Sequence, residues 1–123
     1  MDSKLEISLL YDFYGGLIPA PQQRAVELYV NDDLSLSEVA EILGISRQGV
    51  RDALNRAAAK LRSYEQRLGL LRAYRERLDA AGRIREAVEA IRALTDNAAV
   101  LAQCGAILRY TDMMNEREDI NGI

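Results

Sequence analysis

Histidine and tryptophan are both missing from this chain of 123 residues, and there is a single cysteine. Without histidine there is no Ser-His-Asp or Cys-His nucleophile pair, no imidazole metal ligand and no imidazole acid or base. Cys104 alone makes neither an intrachain disulfide nor a cysteine-cluster zinc site. Two prolines and eight glycines punctuate the chain only sparsely. Alanine is abundant and β-branched residues are scattered, a balance that favours helix over strand. Long apolar runs are also lacking. Residues 98–102 form the longest near the C-terminal end, far short of a bilayer span. The opening six residues alternate in charge and hold no apolar leader segment. These absences predict an all-α, soluble, cytoplasmic binding protein with no catalytic residue, no cofactor, no metal and no membrane insertion.

Apolar residues, at 49% of the chain, suffice for a core, and the length fits one small domain plus an appendage. A first helix is predicted from Lys4 to Tyr14, with Leu5, Leu9 and Phe13 on its core face and Gly15-Gly16 as its stop. Pro19 and Pro21 bracket the start of a second, running from about Pro21 to Val30. Ser35 and Glu38 have the spacing of a capping box for a third helix over residues 36–43, closed by Gly44. Ser46 is a favourable N-cap for a fourth helix starting at Arg47. Leu54, Ala57, Leu61, Tyr64, Leu68, Leu71 and Leu78 recur along it as a heptad seam, which predicts passage through Gly69 to a stop at Gly82. Such a helix of about 35 residues would be ~52 Å long. Two amphipathic segments follow, one carrying Ile84, Val88, Ile91 and Leu94. The other starts near Asp96 and carries Val100, Cys104, Ile107, Thr111 and Met114, ahead of a polar tail from Asn115.

Residues 36–55 carry the strongest pattern. Two short helices meeting steeply across a tight turn need a small residue at their contact, a glycine at the turn and apolar residues at fixed positions. Ala40, Gly44 and the set Val39, Leu43, Ile45, Val50 and Ala53 fill those places, and the segment reads as a helix-turn-helix. With Val50, Ala53, Leu54, Ala57 and Leu61 in one stripe, Gln48, Arg51, Asn55 and Arg62 lie opposite, with Arg47 at the boundary. Arginine bonds guanine bidentately, glutamine and asparagine bond adenine, and Ser46 suits a phosphate. Ser46, Arg47, Gln48, Arg51, Asn55 and Arg62 are therefore the candidate nucleic-acid-binding residues. Residues 1–43 hold two basic against eight acidic groups, whereas residues 44–67 hold six against two. The one basic block of a chain with net charge −3 thus coincides with the candidate reading helix. Against this, Asp52 sits near the reading face, and helix-turn-helix units also dock proteins, so the residues leave both ligand classes open.

The stretch Leu10-Tyr11-Asp12-Phe13-Tyr14-Gly15-Gly16-Leu17, with Gln22 and Glu27-Leu28-Tyr29, resembles the start of the YlxM family of small bacterial helix-turn-helix proteins. Residues 31–41, Gly44-Ile45-Ser46-Arg47-Gln48, Tyr64-Glu65 and Leu68 continue the likeness, which covers residues 5–70. The helix-turn-helix is also similar to the promoter-reading fourth region of sigma factors. The resemblance implies an all-helical, dimeric protein with a regulatory role in the signal recognition particle pathway, with that particle's protein or RNA as partner. It places the helix-turn-helix slots on Ser46, Arg47, Gln48 and Arg51. The sequence departs from the family at Pro19, where a threonine cap is usual, at Pro21, where the family has a polar residue, and at Gly49, where alanine is favoured.

Other candidates have simpler explanations. Asp32-Asp33 fits a turn, and Glu86 and Glu89 fit salt links among arginines. Gly15-Gly16 lacks the following lysine of a phosphate loop. Cys104 lies on an apolar face, and Tyr11, Phe13, Tyr14 and Tyr29 suit packing between the first two helices. The expected organisation is a helix-turn-helix domain over residues 1–68 and a helical extension over 69–123, with a homodimer formed through residues 54–114. The function expected is that of a non-enzymatic accessory or regulatory protein of the signal recognition particle pathway. The alternative is a transcriptional regulator reading duplex DNA from Arg47 onward.

Overall fold

Four helices begin in the same way, with a short polar side chain accepting a backbone N–H from the first turn. Ser3 accepts from Glu6 N at 3.2 Å, Ser35 from Glu38 N at 3.1 Å, Ser46 from Gly49 N at 2.9 Å and Asn97 from Ala99 N at 2.9 Å. Each satisfies a donor that the helix itself leaves unpaired. In this computed structural model, which describes residues 3–115, the helices are α1 (Lys4–Tyr14), α2 (Ala20–Val26), α3 (Leu36–Leu43), α4 (Arg47–Leu68), α5 (Leu70–Leu94) and α6 (Ala98–Met114). A 3-10 turn, Gly15–Leu17, follows α1, and a wider π-type turn, Glu27–Asn31, prolongs α2. Among the described residues there is no strand, and no helix is long and apolar enough to cross a membrane. The expected polar tail lies, beyond Asn115, outside the described residues.

The chain divides into two compact units, one up to Leu71 and one from Arg72. In the first, α1, α2 and α3 all pack on α4. The buried stripe of α4 is Val50, Leu54, Ala57, Ala58 and Leu61, and it meets a core that includes Leu10, Tyr14, Val26 and Val39. The core face of α1 differs from expectation. Ile7, Leu10 and Tyr14 are buried, while Leu5 is 71% exposed. Both sets have helical spacing on a helix that is apolar around much of its circumference, so packing on α4 makes the choice. Ile45, expected inside, is 46% exposed.

The long fourth helix also requires correction. It ends at Leu68, because Gly69 adopts a left-handed conformation (φ 64°) and closes α4 with its N–H on Glu65 O at 2.8 Å. A new helix starts at once and runs straight through Gly82. The seam is therefore interrupted: Leu54, Ala57, Leu61 and Leu71 are buried, but Leu68 is exposed. The decisive interaction comes from α1. The Tyr14 hydroxyl, fully buried, donates to Glu65 Oε1 at 2.6 Å and accepts from Leu70 N at 3.0 Å. The same Glu65 oxygen accepts from Leu71 N at 3.0 Å. Together they cap the first turn of α5, which has no cap of its own sequence. Burial, and then the bond to Glu65, raise the pKa of the Tyr14 phenol, so it remains a donor across the ordinary pH range.

In the second unit, Val88 from α5 packs with Cys104 and Leu108 from α6. Cys104 is a buried core residue, as expected. On α6 the inward residues are Cys104, Leu108 and Thr111, whereas Val100, Ile107 and Met114, expected there, are exposed. The cap is Asn97 instead of Asp96. Arg85 pairs with Asp112 across the two helices, and Arg83–Asp79 (3.0 Å) and Arg92–Glu89 (3.2 Å) pair along α5.

Replacement of Tyr14 by phenylalanine keeps the ring and removes the hydroxyl that holds Glu65 and Leu70. The expected loss is about 1–3 kcal/mol of stability for hydrogen bonds involving a charged group. Urea denaturation reads the loss, and amide exchange at Leu70 should accelerate with it.

Candidate nucleic-acid interface

The helix-turn-helix is assembled from interactions that span only a few residues each. Ser35 and Glu38 form both halves of the capping box, with Ser35 N donating to Glu38 Oε1 at 3.0 Å. Gly44 takes φ 70°, which an L side chain rarely adopts, and its N–H closes α3 on Ala40 O at 2.9 Å. Ile45 N donates to the same carbonyl at 3.1 Å. Ser46 then starts α4. Ala40 is buried in α3, and Val39 and Val50 are completely buried, one on each helix. These contacts fix the outward face of α4.

Arg47, Gln48, Arg51, Asn55 and Arg62 are all exposed, as is Ser46. The structure thus brings the N-terminal members of the predicted set onto one solvent-facing surface. The Ser46 oxygen caps the helix by accepting from Gly49 N, and a hydroxyl that accepts one bond can still donate its O–H to a phosphate. Arg47 and Arg51 have no ion-pair partner among the described residues. Arg62, about three to four turns farther on, is engaged within the chain. One feature of the face escaped the sequence reading: Gln48 Nε2 donates to Asp52 Oδ1 at 3.0 Å. Its only sequence signal was the four-residue spacing of the two side chains. The bond orients the Gln48 amide and engages one oxygen of the Asp52 carboxylate.

Beside this face runs an open groove of about 910 Å³ between the starts of α3 and α4. Ser35, Ser37 and Glu38 line one side, and Ser46, Arg47 and Arg51 the other. Lys4 and Asp33, paired at 2.7 Å, also border it, with the Lys4 ammonium 4.1 Å from the centre of the Tyr29 ring. Asp33 has φ 54° in the turn before α3, consistent with a structural role for Asp32-Asp33. Its bond to Lys4 lowers its pKa and raises that of Lys4. Tyr11 also serves packing: its hydroxyl donates to Glu27 at 2.6 Å, and burial, then that bond, raise its pKa. Among the described residues no three histidine, cysteine, aspartate or glutamate side chains gather as around a metal ion.

The Glu38 carboxylate is held below its ordinary pKa of 4.5 by the Ser35 N–H, and then by the Ser35 side chain. A native pKa below the unfolded one means the capping box stabilises the fold fully above about pH 4.5 and less as pH falls through the native value. Glu38→Gln keeps an acceptor but removes the charge. The stability gap between wild type and Glu38→Gln should hold steady above pH 5 and shrink below pH 4.5 in urea titrations. A gap independent of pH down to 3 would contradict this assignment.

Residues 1–100 match the family model of the YlxM / p13-like helix-turn-helix proteins, UPF0122. A UPF0122 protein of Thermoanaerobacter sp. is 38% identical over 114 residues, which is 93% of this chain and 97% of that protein. A second, from Caldanaerobacter subterraneus, is 45% identical over 87 residues, covering 71% and 74% of the two chains. A third, from Acetivibrio thermocellus, is 49% identical over 71 residues, 58% of this chain and 61% of the relative.

Proposed function

This chain belongs to the YlxM / p13-like helix-turn-helix family, and on that footing we propose that it is a non-enzymatic regulatory protein that binds a nucleic-acid duplex with the outward face of α4. The observation that carries the reading is the N-terminal half of that helix. Arg47 and Arg51 stand exposed, with no ion-pair partner among the described residues, beside the amides of Gln48 and Asn55, on a helix whose opposite side is buried. Exposed cationic groups supply the phosphate attraction, and amides and guanidinium groups supply base-edge contacts. Asp52 keeps its charge, and one of its oxygens accepts from Gln48. The resemblance to YlxM proteins supplies the setting: the cytoplasmic signal recognition particle pathway, with the particle's RNA or its protein as a further partner.

Duplex binding is tested by gel shift at low and moderate salt. The expected result is salt-sensitive, sequence-selective binding that Arg51→Ala weakens by about 1–3 kcal/mol if it contacts a base. Retention of the particle's protein or RNA in a pull-down, with no duplex binding even at low salt, would overturn the DNA reading.

The same proposal includes a homodimer built on the second unit. Ile91, Leu94, Tyr110 and Met113 are among the large apolar side chains left exposed on α5 and α6. Two helices bury too little of each other to cover such surface. A dimer would present two α4 helices to one two-fold site. Light scattering at high micromolar concentration should give twice the chain mass of 13.7 kDa; a monomer there would remove the dimer from the proposal.

A further inference from the structure

The basic residues of α4 do not form one patch. At about 100° per residue, Arg47, Arg51 and Arg62 fall within roughly 60° of one another. Arg56, Lys60 and Arg67 form a second row, within roughly 40° of one another and about 140° around the helix from Arg51. Between the two rows lie Gln48, Asp52, Asn55 and Ala59, so an uncharged or hydrogen-bonded strip is bordered by cations on both edges.

The second row, Arg56, Lys60 and Arg67, is exposed and makes no ion pair among the described residues. On α5, by contrast, Arg83 and Arg92 each pair with an acid one turn away. Arg56 has such an acid, because Asp52 stands one turn before it in favourable order. That carboxylate instead accepts from Gln48. Lys60 and Arg67 have no acid three or four residues to either side. Arg56 also lines, with Asp52 and with Pro19, Pro21 and Gln22 at the start of α2, a recess of about 360 Å³.

We propose that Arg56, Lys60 and Arg67 form a second phosphate-contacting row, gripping the backbone on the side of the groove opposite Arg47 and Arg51. The inference rests on the duplex-binding reading above and deepens it. A helix about 10–12 Å across entering a major groove about 12 Å wide has a phosphate strand on each flank. Cations on one flank alone would satisfy half of that arrangement. The row extends roughly 16 Å along the helix from Arg56 to Arg67, long enough to follow several phosphates. The strip between the rows then faces base edges, where a carboxylate such as Asp52 accepts from a cytosine amino group instead of repelling a phosphate.

The test is the salt dependence of binding to a mixed-sequence duplex of about three helical turns, measured with the full chain. Each phosphate contact contributes about 0.9 to the slope of log K against log salt. The variant Arg56→Ala/Lys60→Ala/Arg67→Ala should lower the magnitude of the slope by about two to three. Arg56→Lys/Arg67→Lys should retain the wild-type slope, because the charges remain. A charge-matched control, Arg83→Ala/Arg92→Ala/Arg109→Ala, should also leave it unchanged. Circular dichroism confirms that each variant keeps its helix content. An unchanged slope in the first variant overturns this inference, as does an equal drop in the control, while the duplex-binding reading stands. Absence of any salt-dependent binding by the wild-type chain overturns both.

Discussion

Burial of one stripe of α4 determines most of what this protein presents to its surroundings. Val50, Leu54, Ala57 and Leu61 are inward because α1, α2 and α3 each dock on the same helix. A helix buried on one side has no freedom over which side remains. The outward positions of Arg47, Gln48, Arg51 and Asn55 follow from that packing and from the start point set by Ser46. A cap moved by one residue would rotate the register of polar side chains by about 100°. The hydrophobic core and the binding surface are therefore two consequences of a single constraint.

What was legible in the sequence was what short-range chemistry decides. The limits of α3 were readable because Ser35, Glu38 and Gly44 act on neighbours within four residues. The start of α4 was readable for the same reason, through Ser46. The end of α4 was not. Gly69 and Gly82 look alike as potential breaks, and the seam of apolar residues continues across the first. What separates them is Tyr14, more than fifty positions upstream, whose hydroxyl supplies the cap that a break at Gly69 requires. The core face of α1 was obscured for a related reason: with apolar residues on most sides, only the partner selects among them. The outward residues of the candidate interface were identifiable by elimination, but the Gln48–Asp52 bond depends on side-chain conformation that spacing permits without dictating.

Charge follows the same logic. A net charge of −3 describes no region of this molecule. Along α5, Arg83 and Arg92 each pair with a carboxylate one turn away. Along α4, Arg47, Arg51, Arg56, Lys60 and Arg67 have no ion-pair partner among the described residues. The difference lies in pairing more than in the number of cations: Lys60 and Arg67 have no acid one turn away, and at Arg56 the acid that is there accepts from Gln48.

The capping of α5 by Tyr14 and Glu65 bears on the order in which the chain acquires its structure. The two hydrogen bonds made by the Tyr14 hydroxyl close intervals of 51 and 56 residues. Closing such intervals costs entropy that local turns do not. A ribosome releasing the chain from its N-terminal end supplies α1 early and its hydrogen-bonding partners late. Until residue 65 has emerged the tyrosine hydroxyl has neither partner, and until residue 70 it has only one, while the apolar side of α1 waits for most of α4. The helix-turn-helix, made of neighbours, needs no such delay, so its turn belongs to an early stage of synthesis and the closure of its surrounding unit to a late one.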